Sequence, residues 1–320
     1  MPEPGAPNTH NGYLEARLSE GSSFPIALLH TGILQLCTIS IISQVSKSGN
    51  PQCNSVPYRT VREVTMQFGC CTTIDQAEAV SAAGFDYLEA GVTSLIPDQD
   101  DAAFSPILAQ YKVSPVPVQA FNLFLPGDLK VVGTEVDIDR AKIYIGRAVE
   151  RIKRIGARTA VIGSGGSRRV PDGFPRDEAT DQIIQFLGLV ADEADNSGVT
   201  IAIEPLNKKE SNIINSVSEA AFFAREVNRP SMRVLADFYH MDEDDEPLET
   251  LIDNKDWLAH IHVADSARGA PGSGQYPYTR FIELLRQAGY DGMISIECRW
   301  ADFKSEAGPS VAFLRRAFAS

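Results

Sequence analysis

Residues 234–245, VLADFYHMDEDD, and 258–274, LAHIHVADSARGAPGSG, decide the fold. Each is a short apolar run that ends abruptly in acid, histidine and arginine, which is how a buried parallel strand delivers chemistry at its carboxyl end. The pattern repeats on either side, in VTIAIEPLN (199–207) and GMISIECRW (292–300). Glu204, Asp237, His262 and Glu297 thus stand at the ends of four successive expected strands, 33, 25 and 35 residues apart. A strand-helix-strand step takes about 30 residues, so each gap holds one strand and one helix.

From Met66 onward the rest of the chain keeps this rhythm. Expected strands are 66–71, 85–92, 116–124, 158–170, 199–205, 232–238, 259–265 and 293–298. Between them lie helical patterns at 73–84, 104–111, 138–155, 176–196, 217–227, 247–254, 278–288 and 310–318. Several stop at a glycine, among them Gly84, Gly156, Gly198 and Gly289, the residue that best ends a helix. Eight strand and helix pairs in the 255 residues from Met66 match the size of a (β/α)₈ barrel, a TIM barrel, as a single α/β domain. An open doubly wound sheet is the competitor, but no GxGxxG opening is present.

Residues 1–65 read differently, as an extension that is disordered or dispensable. Its middle run, Phe24 to Ser43, is about long enough to span a bilayer, yet it contains His30, Thr31, Gln35 and Thr38 and lacks a basic lead and a small-x-small cleavage site. A cytoplasmic protein is expected, with export or anchoring as the alternative. Five cysteines without a CxxC pair fit a reducing compartment. Net charge of −13 disfavours nucleic acid and anionic membranes as partners and suits a small neutral ligand or a metal cation.

Three carboxylates and one imidazole at one end of a barrel suit Mn²⁺, Mg²⁺ or Co²⁺ better than structural zinc and leave positions open for substrate oxygens. Acids at strand ends can instead cap the next helix. His240, three residues past Asp237, can bond a substrate hydroxyl or serve as a further ligand. Arg268 can donate to a hydroxyl or carbonyl, or be an ordinary loop arginine. His260 shares a strand side with His262 and can be an internal histidine satisfied by hydrogen bonds. Glu89 ends the second strand and either faces substrate or caps a helix. The run GSGGSRR (163–169) could cradle an anion, though it lacks the Lys-Ser/Thr of a phosphate loop. Cys70 and Cys71 read as core residues rather than nucleophiles.

EPLNKKESN, ADFYHM, HIHVADSARGAPGSG and ISIEC together resemble the xylose-isomerase-like TIM barrels, nearest in pattern to the ketose (D-tagatose) 3-epimerase and sugar phosphate isomerase/epimerase group. The resemblance covers about residues 66–320. It implies one divalent metal, usually Mn²⁺, on Glu204, Asp237, His262 and Glu297, with Glu204 and Glu297 as the acid/base pair on opposite faces of a sugar. It implies that Glu210, His240 and Arg268 contact substrate oxygens, and that the protein is a sugar isomerase or epimerase working through a cis-enediolate, with a homo-oligomer as one expected state. Elimination of water from an inosose or keto-sugar would use the same metal and base, and an inactive sugar-binding barrel would use the same pocket. Apurinic-site endonucleases share the barrel but need more metal-ligating histidines, and no histidine falls between His30 and His240.

Overall fold

A computed structural model describes residues 66–319; the expectations for residues 1–65 fall outside the described residues. Eight parallel strands close in sequence order into a barrel: β1 (Gln67–Cys71), β2 (Tyr87–Gly91), β3 (Val118–Asn122), β4 (Thr159–Ile162), β5 (Thr200–Ile203), β6 (Met232–Asp237), β7 (Leu258–Val263) and β8 (Met293–Ile296), with β1 pairing β8. Ten helical segments interleave with them: α1 (Ala77–Ala83), α2 (Asp101–Lys112), α3 (Ile138–Ile155), α4 (Gly165–Arg168), α5 (Arg176–Ala194), α6 (Val217–Val227), α7 (Phe238–Glu243), α8 (Thr250–Asp253), α9 (Tyr278–Gln287) and α10 (Phe303–Ala319). Among the described residues no helix is long and apolar enough to cross a membrane.

The local chemistry explains the main elements. In α3, Asp137 accepts a hydrogen bond from the Arg140 N–H at the start, and Gly156 takes φ 103° at the end, a conformation costly for any residue with a Cβ. Its buried side chains Ala141, Tyr144, Ile145, Ala148, Val149 and Ile152 recur at three- and four-residue steps, the stripe a helix needs to lie on a barrel. The strands are apolar on their outer face because helices cover them.

The inner face is divided. Val161, Ala202 and Leu235 form a small apolar cluster on β4 to β6. On the other side Tyr87, Glu89, His260 and Ser295 form a buried polar network, with Ser295 Oγ 2.7 Å from Tyr87 Oη and 2.5 Å from Glu89 Oε2. Side chains alternate along each strand, so the next inward positions, Glu204, Asp237, His262 and Glu297, stand above these at the carboxyl end.

Four segments depart from the sequence reading. The fourth strand stops at Ile162, and the glycine-rich run turns into α4, because Ser164 O accepts from the Ser167 and Arg168 N–H groups instead of from a neighbouring strand. Helix α7 follows β6 without a loop, since the Asp237 carboxylate caps it at Tyr239 N. The helix expected over 247–254 shrinks to α8. Finally, α10 begins at Phe303 rather than Ser310 and carries Pro309 inside it, at the loss of one backbone hydrogen bond.

Candidate metal and catalytic site

Glu204, Asp237, His262 and Glu297 each bring one ligand atom to a common point, all within 4.8 Å of one another. Asp237 and His262 sit on the paired strands β6 and β7, in register with each other, while Glu204 and Glu297 directly follow β5 and β8. The donor set tests well against a divalent cation. Glu204 Oε1, Asp237 Oδ2 and His262 Nδ1 are buried and have no hydrogen-bond partner among the described residues. Such orphans are costly unless an ion completes them. His262 Nδ1 lies 3.4 Å from Glu204 Oε1 and 3.7 Å from Glu297 Oε2, spacings that suit a shared ion better than direct bonds.

The other ring nitrogen fixes the orientation of His262. Its Nε2 lies 3.0 Å from Glu89 Oε1, and Glu89 Oε2 lies 2.8 Å from His260 Nε2. A carboxylate accepts only, so each imidazole donates through Nε2–H, and Nδ1 of His262 is left facing the site. Burial alone would raise the Glu89 carboxyl, but the two imidazoles outweigh it and hold Glu89 well below the usual carboxylate range. Burial lowers His262, yet Glu89 and then Cys71, whose Sγ lies 3.9 Å from Nε2, carry it well above the usual imidazole value. Glu89 is thus taken up by His260, His262 and Ser295 and holds the outer nitrogen of His262.

The two glutamates are held differently. Both oxygens of Glu297 have partners, Asn122 Nδ2 at 2.9 Å and Arg268 Nη2 at 2.6 Å. Burial raises its carboxyl, but His262 and Arg268 outweigh that and bring it down to about 2. Burial, with Glu297 opposite, pushes Glu204 up, and His262 offsets this only in part.

His240, Arg268 and Glu210 gather at the mouth. The backbone N–H of Asn207 donates to His240 Nδ1 at 3.2 Å, with Asn207 Nδ2 at 2.9 Å. Nδ1 is therefore the acceptor, and Nε2 carries the proton; it is buried, lacks a partner among the described residues and stands 3.7 Å from Asp237 Oδ2. Arg268 pairs with Glu210 at 3.2 Å and lies 4.8 Å over the Tyr239 ring. Its backbone is left-handed, as is that of Ala267, at φ 60° and 58°, a strain typical of functional loops. Asp265 holds that loop by accepting from the N–H groups of Ser266, Gly272 and Tyr276. Gly274 is required there, because a Cβ would come within 2.3 Å of Asp265 Oδ1.

All seven site residues expected from the sequence come together. In the GSGGSRR run only one of the two arginines stays at the surface. Arg168 turns inward, buried, and donates to the carbonyls of Ile162 (3.1 Å), Glu204 (2.8 Å) and Ile214 (3.4 Å); burial brings its guanidinium down to about 10. Asn122 and Asn207 were missed. Their signal was a polar amide at the end of an apolar strand pattern, in QAFN and EPLN, beside residues that carry charge.

Residues 77–317 match the family model described as xylose isomerase-like TIM barrel. A ketose 3-epimerase of Arthrobacter globiformis is 32% identical over 112 residues, 35% of this chain and 39% of its own length. A 3-dehydro-D-guloside 4-epimerase of Escherichia coli is 31% identical over 162 residues, 48% of this chain and 62% of its own. The aligned regions thus span about two fifths and three fifths of these two relatives. A crystal structure of D-psicose 3-epimerase in the presence of D-fructose superposes with TM-score 0.70 at 19% identity, covering 80% of this chain and all of that one, a likeness of fold. Barrel, site geometry and family match agree: the chain belongs to the xylose isomerase-like TIM barrel family.

Proposed function

We propose that this barrel is a metal-dependent sugar epimerase or isomerase that moves a proton on a ketose or related polyhydroxy carbonyl compound. The observation that carries the reading is the convergence of three orphaned buried polar atoms with a paired glutamate on one point, beneath a mouth lined by His240, Arg268 and Glu210. The relatives named as sugar epimerases support it.

Glu204, Asp237, His262 and Glu297 would hold the ion, and the oxygen-rich set favours Mn²⁺ over a closed structural zinc. Bound there, the ion supplies Lewis acidity toward the substrate's carbonyl and neighbouring hydroxyl oxygens. A carbon between those two oxygens is weakly acidic, and its proton is the one transferred. Glu297, held in place by Asn122 and Arg268, accepts it as general base, leaving a cis-enediolate. Glu204 returns a proton from the other face, and the roles exchange for the reverse reaction. Return at the same carbon inverts it; return at the neighbouring carbon gives aldose-ketose isomerisation. The Nε2–H of His240 and the guanidinium of Arg268 donate to substrate oxygens and fix which carbon faces the base.

The test is incorporation of solvent deuterium into D-psicose, D-fructose and D-tagatose by protein loaded with Mn²⁺. Exchange lost in Glu297→Gln is the expected result; undiminished exchange in metal-stripped protein would refute the proposal. A dehydrated product absorbing in the ultraviolet would assign elimination instead.

A further inference from the structure

The glycine-rich run 163–169 has no role in the chemistry above, yet its first residue, Gly163, packs against the Glu204 carboxylate. A Cβ built on Gly163 would lie 1.8 Å from Glu204 Oε2, 2.9 Å from its Cδ and 3.5 Å from its Cβ. Real Cβ atoms do not approach heavy atoms so closely, so the carboxylate occupies the space that any other residue at 163 would fill. We propose that Gly163 is a positioning residue for Glu204, its missing side chain being the seat in which the glutamate is aimed at the metal. The inference rests on the functional reading above for the metal, though not for the contact itself.

The backbone cannot relieve the clash. Glu204 N–H donates to Ile162 O at 3.1 Å, locking the ends of β5 and β4 together. Arg168, five residues past Gly163, bolts the same two strand ends, its buried guanidinium donating to Ile162 O and to Glu204 O. Gly165 is also tight: a Cβ there would lie 2.9 Å from Leu206 Cδ1 and 3.0 Å from Glu210 O. With both strand ends pinned, a methyl group at 163 can be accommodated only by swinging the Glu204 carboxylate away. Glu204 Oε1 has no hydrogen-bond partner among the described residues, and only His262 Nδ1, at 3.4 Å, pulls against that swing, so the consequence falls on metal affinity.

The test is a double-mutant cycle read by Mn²⁺ affinity, using the electron paramagnetic resonance of free Mn²⁺ on the full chain. Gly163→Ala is expected to weaken Mn²⁺ binding at least tenfold while circular dichroism stays as in the wild type. Asp is one methylene shorter than Glu and withdraws from the contested space, so Gly163→Ala in a Glu204→Asp background is expected to cost less than threefold further. Equal losses in both backgrounds, or no loss in either, would overturn the proposal. Should Gly163→Ala alone fail to fold, recovery of folded protein in the double variant supports it, and failure of both refutes it. If the wild type binds no Mn²⁺, the functional reading fails instead. The coupling is then read from unfolding midpoints, lowered by Gly163→Ala with Glu at 204 and unaltered with Asp.

Discussion

Arg268 Nη2 stands 2.6 Å from Glu297 Oε2, with the same guanidinium reaching Glu210 at 3.2 Å and lying over Tyr239. One planar fork thus ties the base to two walls of the mouth. Lysine keeps the charge but can neither bridge two carboxylates nor stack in the same way. Arg268→Lys is expected to lower kcat/KM by roughly 10- to 100-fold, with part of the loss in kcat, while Mn²⁺ affinity is retained. Steady-state kinetics on the preferred ketose checks this, and unaltered kinetics would mean that the fork matters only in the resting protein.

Glu89 has no expected contact with substrate, yet it fixes the tautomer of His262. Glu89→Gln turns an acceptor-only group into one with an N–H₂ facing one of two donors, His260 or His262. Removal of such an anchor typically costs 10- to 100-fold in metal affinity. That loss is expected in a Mn²⁺ titration, and excess Mn²⁺ should restore most of the proton exchange.

Metal uptake should release a proton. In the metal-free protein burial lowers His262, but Glu89 and Cys71 carry it well above the usual 6.5, so Nδ1 is protonated at neutral pH. A metal competes with that proton, and affinity should rise with pH until the raised value is passed. Calorimetry of Mn²⁺ binding in buffers of different ionisation enthalpy measures the proton count, and a count of zero would contradict the assignment.

Glu246 accepts from the Val217 N–H at 2.9 Å, at the start of α6. Burial raises its carboxyl from 4.5 to about 6. A raised folded value means stability that is full below 4.5 and lost as pH rises through 6, at most about 2 kcal/mol. Glu246→Gln keeps the acceptor without the charge. Its stability relative to the wild type should therefore improve by up to that amount between pH 4 and pH 7, as read by urea unfolding.

Arg168 serves three carbonyls at the ends of β4 and β5 and in the loop beyond. Ile162 O keeps the Glu204 N–H and Ile214 O keeps the Leu206 N–H, so Arg168→Met leaves the buried Glu204 carbonyl as the one that loses its donor, at about 1–3 kcal/mol. A loss of about 1–3 kcal/mol in unfolding free energy is expected, and a loss under about 1 kcal/mol would show that the Glu204 carbonyl finds another donor.

The barrel and the cluster of acids and histidine at its mouth were legible because both depend on local pattern. Apolar runs of strand length ended in Glu204, Asp237, His262 and Glu297 at one-unit spacing, and a closed barrel brings such ends together whatever the details of its helices. What could not be read depends on pairs far apart in sequence. Glu89 meets His262 across 173 residues and Asn122 meets Glu297 across 175, contacts that no spacing rule predicts. Gly163 looked like part of an anion loop for the same reason, since its meaning lies in a side chain on the next strand. Helix boundaries failed where a proline or a cap competed with periodicity, at Pro309 and Asp237.

The two-sided hold on His262, with Nδ1 toward the ion and Nε2–H on Glu89, gives the centre its own spectroscopic reporter. An imidazole proton sealed in a barrel against a carboxylate exchanges slowly with solvent and resonates far downfield. The chain has only five histidines, so few lines compete with it. A diamagnetic ion should shift this resonance and a paramagnetic one broaden it, so occupancy of the centre can be followed from inside the barrel without any substrate present.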